Sequence, residues 1–233
     1  MTTKHDSFDA SGHGFFVRSS HGMRNQPGRV LLWAPYELVA VSNANYLYTR
    51  VYREVGVEVD SAWSPSEPDI SNYSLVILFP VISPGQQAPP VPSWWAQLAS
   101  FSGVILVGSS DWSASSFSTT RYLPALPFLG MTITGAGEPL LANSVFPVSE
   151  HPLNSGMVLG WWIVGLGGTG WFVNGGTSLL STRRYLSVNE SGPGTYVLSG
   201  MFPQMVNGTN GGSGMSAQHH ADIKRFWKNI AGV

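Results

Sequence analysis

The chain has 233 residues, a formal net charge of −1 and no cysteine. The length suits one large α/β domain, and the near-neutral balance leaves no positive excess to release counterions from nucleic acid, which excludes DNA and RNA as partners. Absence of cysteine excludes disulfides, thiolate metal sites and a Cys nucleophile, and no apolar run approaches a membrane span.

Charged residues make up 11%, and 27 glycines, 16 prolines and 9 tryptophans fill much of the remainder. A surface of Ser, Gly, Thr and Asn is expected more often outside the cytoplasm, on a cell surface or in a virion. The start of the chain, Met1 to Asp6, shows no apolar signal core, so any export is expected to use another route or a leader already removed.

Residues 1–27 have no period and read as an extended arm with one apolar patch, Phe15-Phe16-Val17, expected to dock on the body or on a neighbouring subunit. His5, His13 and His21 recur there, but a floppy arm does not converge ligands on a metal. From residue 28 to 233 the chain reads as a single domain. Val30 to Ala34 is a continuous apolar run, as in a strand buried on both faces. Ser42 or Asn43 caps a helix that carries Ala44, Leu47, Tyr48, Val51 and Val55 on one face and stops at Gly56. Val57–Val59, Leu75–Phe79 and Val104–Val107 are the next strands. Between the last two, Ser93 caps a short helix holding Trp94, Trp95, Leu98 and Phe101, which ends at Gly103. Strands alternating with helices predict a flavodoxin-like, doubly wound α/β fold with a mostly parallel sheet.

Residues 112–190 are rich in Ser, Gly, Pro and aromatics and contain no convincing long helix. They read as a β-rich, Gly/Trp-rich insertion in the second half, with strands at Met131–Thr134, Trp161–Val164 and Trp171–Val173. Gly194–Ser199 is the last core strand, Asn207–Gly214 a flexible loop. Ser216 opens a final helix with Ile223, Phe226, Trp227 and Ile230 on its buried stripe and Gly232 as the stop.

Four segments in this order resemble the class I glutamine amidotransferase-like superfamily over residues 28–233. They are the helix end and strand Glu54-Val-Gly-Val-Glu-Val59, the loop and strand Asp69 to Leu78, the phrase His151-Pro-Leu-Asn-Ser-Gly156, and the closing strand Gly192 to Gly200 with its terminal helix. The family's closing motif ends Phe-His-Pro-Glu, whereas the matching segment here is Tyr196-Val-Leu-Ser-Gly-Met-Phe-Pro-Gln204. The resemblance implies that Phe202 and Gln204 stand where the catalytic histidine and glutamate would be. The family's nucleophile turn corresponds to Val107-Gly-Ser-Ser-Asp-Trp112, with Ser110 at the nucleophile position and Trp112 in place of the second glycine. A Ser, Phe, Gln set has no proton acceptor, so a non-catalytic member is expected.

Ser109, Ser110, Asp111, Trp112, Phe202 and Gln204 are therefore ligand-binding candidates at a strand end, where open α/β sheets bind small molecules. The simpler reading of Ser109–Asp111 is a turn capped by its own side chains. A Ser-dependent hydrolase is the enzymatic alternative, with His219 or His220 as base for Ser110. As helix neighbours these histidines point about 100° apart and do not share a metal, and the simpler reading makes them surface or helix-start residues. Gly165-Leu-Gly-Gly-Thr-Gly170 has the glycine spacing of a dinucleotide fingerprint, but no helix is expected after it, so no cofactor is assigned. His151, before Pro152, is expected to be structural. Asn72, Asn189 and Asn207 are glycosylation sequons at chance frequency.

Nine tryptophans exceed what one core of this size needs, and exposed aromatics among few charges suit a protein or sugar-binding face. The leading expectation is a non-enzymatic structural or interaction module, with a protein partner or self-association in an assembly. Binding of a small ligand or glycan is the third reading.

Overall fold

The structure is a computed structural model that describes residues 28–33, 52–53, 56–62, 69–78, 93–108, 123–139, 144–163, 169–200 and 216–233. The N-terminal arm, most of the helix expected before Gly56 and the loop 207–214 lie outside them. In chain order the strands are β1 (Arg29–Trp33), β2 (Glu58–Ala62), β3 (Leu75–Leu78), β4 (Val104–Val107), β5 (Thr132–Pro139), β6 (Ser144–Phe146), β7 (Trp161–Ile163), β8 (Thr169–Asn174), β9 (Thr177–Ser178), β10 (Leu186–Asn189) and β11 (Thr195–Ser199). The helix α1 (Ala217–Ala231) closes the chain.

The main sheet has seven strands in the order β2-β1-β3-β4-β11-β10-β9. The first five run parallel, and β10 and β9 extend the sheet antiparallel. The apolar runs sit in its centre because both faces are covered. Val30, Leu32, Leu75, Ile77, Leu106 and Val197 face one layer, with Ile223, Phe226, Trp227 and Ile230 of α1. Leu31, Trp33, Val76, Leu78, Ile105, Val107 and Leu198 face the other, with Trp95, Leu98 and Phe101. Burying each such side chain contributes about 2 kcal/mol.

The two glycine stops act through the same device. Gly56 (φ 76) and Gly232 (φ 74) are left-handed. Val57 N–H donates to Tyr52 C=O and Gly56 N–H to Arg53 C=O, and Val233 and Gly232 repeat the pattern onto Lys228 and Asn229. Only glycine takes this backbone without strain, which is why both ends were legible.

Several expectations are corrected. The short helix expected after Ser93 is a 3-10 helix, Ser93–Ser100, which includes Ser93 and stops before Phe101 and Gly103. It has no acidic residue in its first turn and no basic residue in its last, and it packs Trp95 and Leu98 against the sheet. Strand β2 continues to Ala62 because Asp60 is held by Arg29 (Nη2–Oδ2 2.7 Å) and by the Tyr73 hydroxyl (2.9 Å). The stretch read as an insertion gives two small ladders, β5–β8 and β6–β7, but also donates β9 and β10 to the main sheet. Downstream of the glycine-rich phrase, Thr169–Asn174 is a strand where a dinucleotide site needs a helix.

A buried carboxylate ties this second half to α1. Asp222, fully buried, accepts the N–H groups of Val158 (3.0 Å), Leu159 (2.6 Å) and Gly160 (2.9 Å) on Oδ2, and Gln218 Nε2 (2.7 Å) on Oδ1. Asn229 adds bonds to the carbonyls of Leu153 (3.1 Å) and Ser155 (2.9 Å). Burial pushes the Asp222 carboxyl up, but the bonds from Gln218, Gly160, Val158 and Leu159 together outweigh it and hold the group below the usual carboxylate range. Its stabilisation is therefore present above the unfolded-state carboxylate pKa and is lost as pH falls through the lower folded value. Asp222→Ala is expected to cost about 3 kcal/mol in denaturant unfolding at neutral pH, with the gap to wild type shrinking toward strongly acidic pH.

Candidate functional site

The parallel strands finish together. Trp33 pairs with Leu78 and Ala62, and Val107 pairs with Leu78 on one side and Leu198 on the other. This carboxyl edge is where open α/β sheets bind ligands. Gly108 follows β4, buried, with its N–H on Leu78 C=O (3.1 Å). Gly200 follows β11. Its N–H donates to Tyr185 C=O (2.7 Å) and its C=O accepts from Trp171 N–H (2.8 Å). The candidates Ser109, Ser110, Asp111, Trp112, Phe202 and Gln204 lie outside the described residues. What is described is their departure points, Gly108 and Gly200, at the ends of two strands paired in register.

Helix α1 runs against the strands. Its last carbonyl, Ala231 C=O, accepts the Ser74 hydroxyl (3.1 Å), and the same hydroxyl reaches Arg29 C=O (3.1 Å) at the start of β1. The C-terminus of α1 is thus at the amino edge of the sheet, and its N-terminus is on the carboxyl side. His219 sits there. It is 7% exposed rather than a surface residue, one turn before Ile223 on the buried stripe. Its Nδ1 lies 2.8 Å from Ser216 Oγ, and the same oxygen caps the helix by accepting His219 N–H (3.3 Å). His220 is half-buried and off this stripe, so the structure separates the two histidines.

Sequence reasoning missed a second polar group near Gly200. The Tyr185 hydroxyl, on a buried ring between Phe146 and Phe172, donates to Glu138 Oε2 (2.7 Å), which also faces Arg183 Nη1 (3.5 Å). Burial first, then the Glu138 bond and charge, push the phenol up to about 12, against the opposing Arg183 charge. Glu138 and Tyr185 are 47 residues apart, and no local pattern joins them. Ser199, the last residue of β11, is buried opposite Leu186 on the α1 side.

His151 has the structural role expected of it. Its Nδ1 accepts Leu153 N–H (3.2 Å) at the start of a 3-10 turn. Burial lowers its pKa, and Glu190, 3.8 Å from Nε2, opposes that without reversing it. Among the described residues no group of three or more His, Asp or Glu is placed to hold a metal. The Asn189 amide nitrogen is bonded to Leu129 C=O (2.8 Å), so that sequon is engaged in packing, whereas Asn72 is exposed.

No family model matches the chain, and no curated protein matches it. Solved structures do. A cytoplasmic protein of Salmonella typhimurium LT2 superposes with a TM-score of 0.54 at 12% identity, over 88% of this chain and 98% of that one. A ThuA-like protein of Bacteroides uniformis ATCC 8492 gives 0.49 at 12% identity over 91% and 94%, and one of Parabacteroides merdae ATCC 43184 gives 0.47 at 13% over 75% and 79%. ThuA-like proteins have the class I glutamine amidotransferase-like fold. Identities this low speak for the fold alone, and the two scores below one half add no argument.

Two substitutions probe how the edge is held. A Cβ at Gly200 would collide with the Trp171 carbonyl oxygen, and Gly200→Ala is expected to cost at least about 2 kcal/mol in urea unfolding. Ser216→Ala removes both the cap and the Nδ1 partner and is expected to cost about 1 kcal/mol, read by the same method.

Proposed function

We propose that this chain is a non-catalytic binding and interaction module on a class I glutamine amidotransferase-like scaffold, whose carboxyl edge keeps the place of the pocket without its proton-transfer groups. One observation carries the reading: β4 and β11 pair parallel and in register. The Ser110 segment and the Phe202–Gln204 segment therefore start from neighbouring strand ends, where the family would join nucleophile and base. With an aromatic ring and a neutral amide in the second segment, nothing there accepts a proton from Ser110.

The hydrolase reading is favoured by a single feature, the buried His219 at the same end of the fold. Its Nδ1 is engaged beside the helix start. Ser216 Oγ accepts the His219 backbone N–H and lies 2.8 Å from Nδ1, so the ring is tied through that nitrogen to its own helix cap.

Self-association in an assembly is the other form this interaction role can take. Of the tryptophans, Trp33, Trp95 and Trp227 are buried, so these three belong to packing and not to an association face. A small polar ligand or glycan at the carboxyl edge is the form of binding this reading favours.

A fluorophosphonate probe is expected to leave the protein unlabelled, with wild type and Ser110→Ala indistinguishable. Labelling of wild type that disappears in Ser110→Ala would establish the hydrolase instead. For assembly, light scattering coupled to size exclusion is expected to give a mass that rises with concentration if the chain self-associates; a constant monomer mass would contradict that form of the reading.

A further inference from the structure

We propose that the outward side of α1, together with the loop it holds, is a docking surface for an acidic protein segment that carries an apolar side chain. The surface is separate from the carboxyl edge and does not depend on the reading given to that edge. Val158 and Leu159 are 71% and 41% exposed, and among the described residues the other exposed large hydrophobic is Val233. They are adjacent, and their backbone is fixed because both N–H groups, with that of Gly160, are bonded to Asp222. An apolar pair presented on an immobilised loop loses little entropy when a partner covers it.

Positive charge lies beside this pair. A Cβ at Gly156 (φ 78) would sit 3.3 Å from Arg225 Nε, so Arg225 runs along the same loop. At about 100° per residue, Arg225 and Lys228 flank Ala221 on the solvent side of α1. Ala221 and Arg225 are exposed and Lys228 half-buried. Neither cation is in any of the ion pairs formed by Arg29, Arg183 and His151. The one carboxylate of α1, Asp222, is buried and turned to the loop, and residues 151–160 contain none. Arg225 thus brings positive charge to the loop that carries the exposed apolar pair, and Lys228 lies one turn further along the solvent side of α1.

Charge complementarity selects the partner. An anionic membrane is the competing occupant. Each cation near such a surface contributes about 1 kcal/mol, and two cations with two small apolar side chains fall short of stable anchoring. A protein segment with carboxylates around one apolar residue meets both features at fixed spacing.

The test uses the full chain and a fluorescein-labelled peptide with glutamates flanking a Leu-Trp pair, followed by anisotropy. Binding is expected to weaken about tenfold in Arg225→Glu/Lys228→Glu and also in Val158→Ser/Leu159→Ser, and to fade with added salt. Both variants keep every backbone N–H on Asp222, so their unfolding midpoints should match wild type. The proposal is overturned by equal binding to wild type and variants, or by no binding up to about 1 mM peptide. It is also overturned if the chain ignores the peptide and binds phosphatidylcholine vesicles only when phosphatidylserine is included.

Discussion

The constraint that organises this fold is the parallel pairing of β1, β3, β4 and β11, strands with almost no polar side chains. A parallel strand cannot return by a short hairpin, so the chain must cross over a face between successive strands. The strands are apolar on both sides, so both faces must be covered. Helix α1 covers one and the Ser93–Ser100 segment helps cover the other. The same pairing gathers the exits of all five parallel strands at one edge. The candidate site is a consequence of this topology before any of its side chains is considered.

The second half of the chain does more than decorate that core. Through Asp222 and Asn229 it grips α1 along its length, and α1 in turn positions Ser216 and His219 on the carboxyl side. The β9–β10 pair extends the sheet, and the turn before β10 places Tyr185 against Gly200. A buried carboxylate that takes three backbone N–H groups and a side-chain amide holds a loop with little freedom to relax, and it leaves the loop's side chains facing water. Stability of the helix and presentation of Val158 and Leu159 are thereby one arrangement.

The sequence made some of this readable and hid the rest for physical reasons. Val30 to Trp33, Leu75 to Leu78 and Val104 to Val107 were legible because a strand buried on both faces has no alternation to blur it. Gly56 and Gly232 were legible because the backbone they adopt is available to few other residues. Leu186 to Asn189 was not, since Ser187 and Asn189 break the apolar run although Ser187 is buried. Partners of Asp222 and Tyr185 are distant in the chain, and no window of residues contains them. The burial of His219 was within reach: the stripe Ile223, Phe226, Trp227, Ile230, continued back one turn, lands on it. Of the edge, the sequence indicated the strands and the turns that follow them, and the structure adds their register.

A scaffold can outlive its chemistry when the groups that move protons are replaced and those that hold the backbone are kept. Here the residues around the edge with defined bonding, Gly108, Gly200, Ser216 and Tyr185, hold backbone or orient a neighbour. The account stands most directly on whether the His219 ring senses Ser110. Long-range proton–nitrogen NMR of His219 is expected to give ring-nitrogen signals that are unchanged in Ser110→Ala. A bare Nε2 whose signal shifts in Ser110→Ala would mean that the ring accepts the serine proton, and the non-catalytic reading would be wrong.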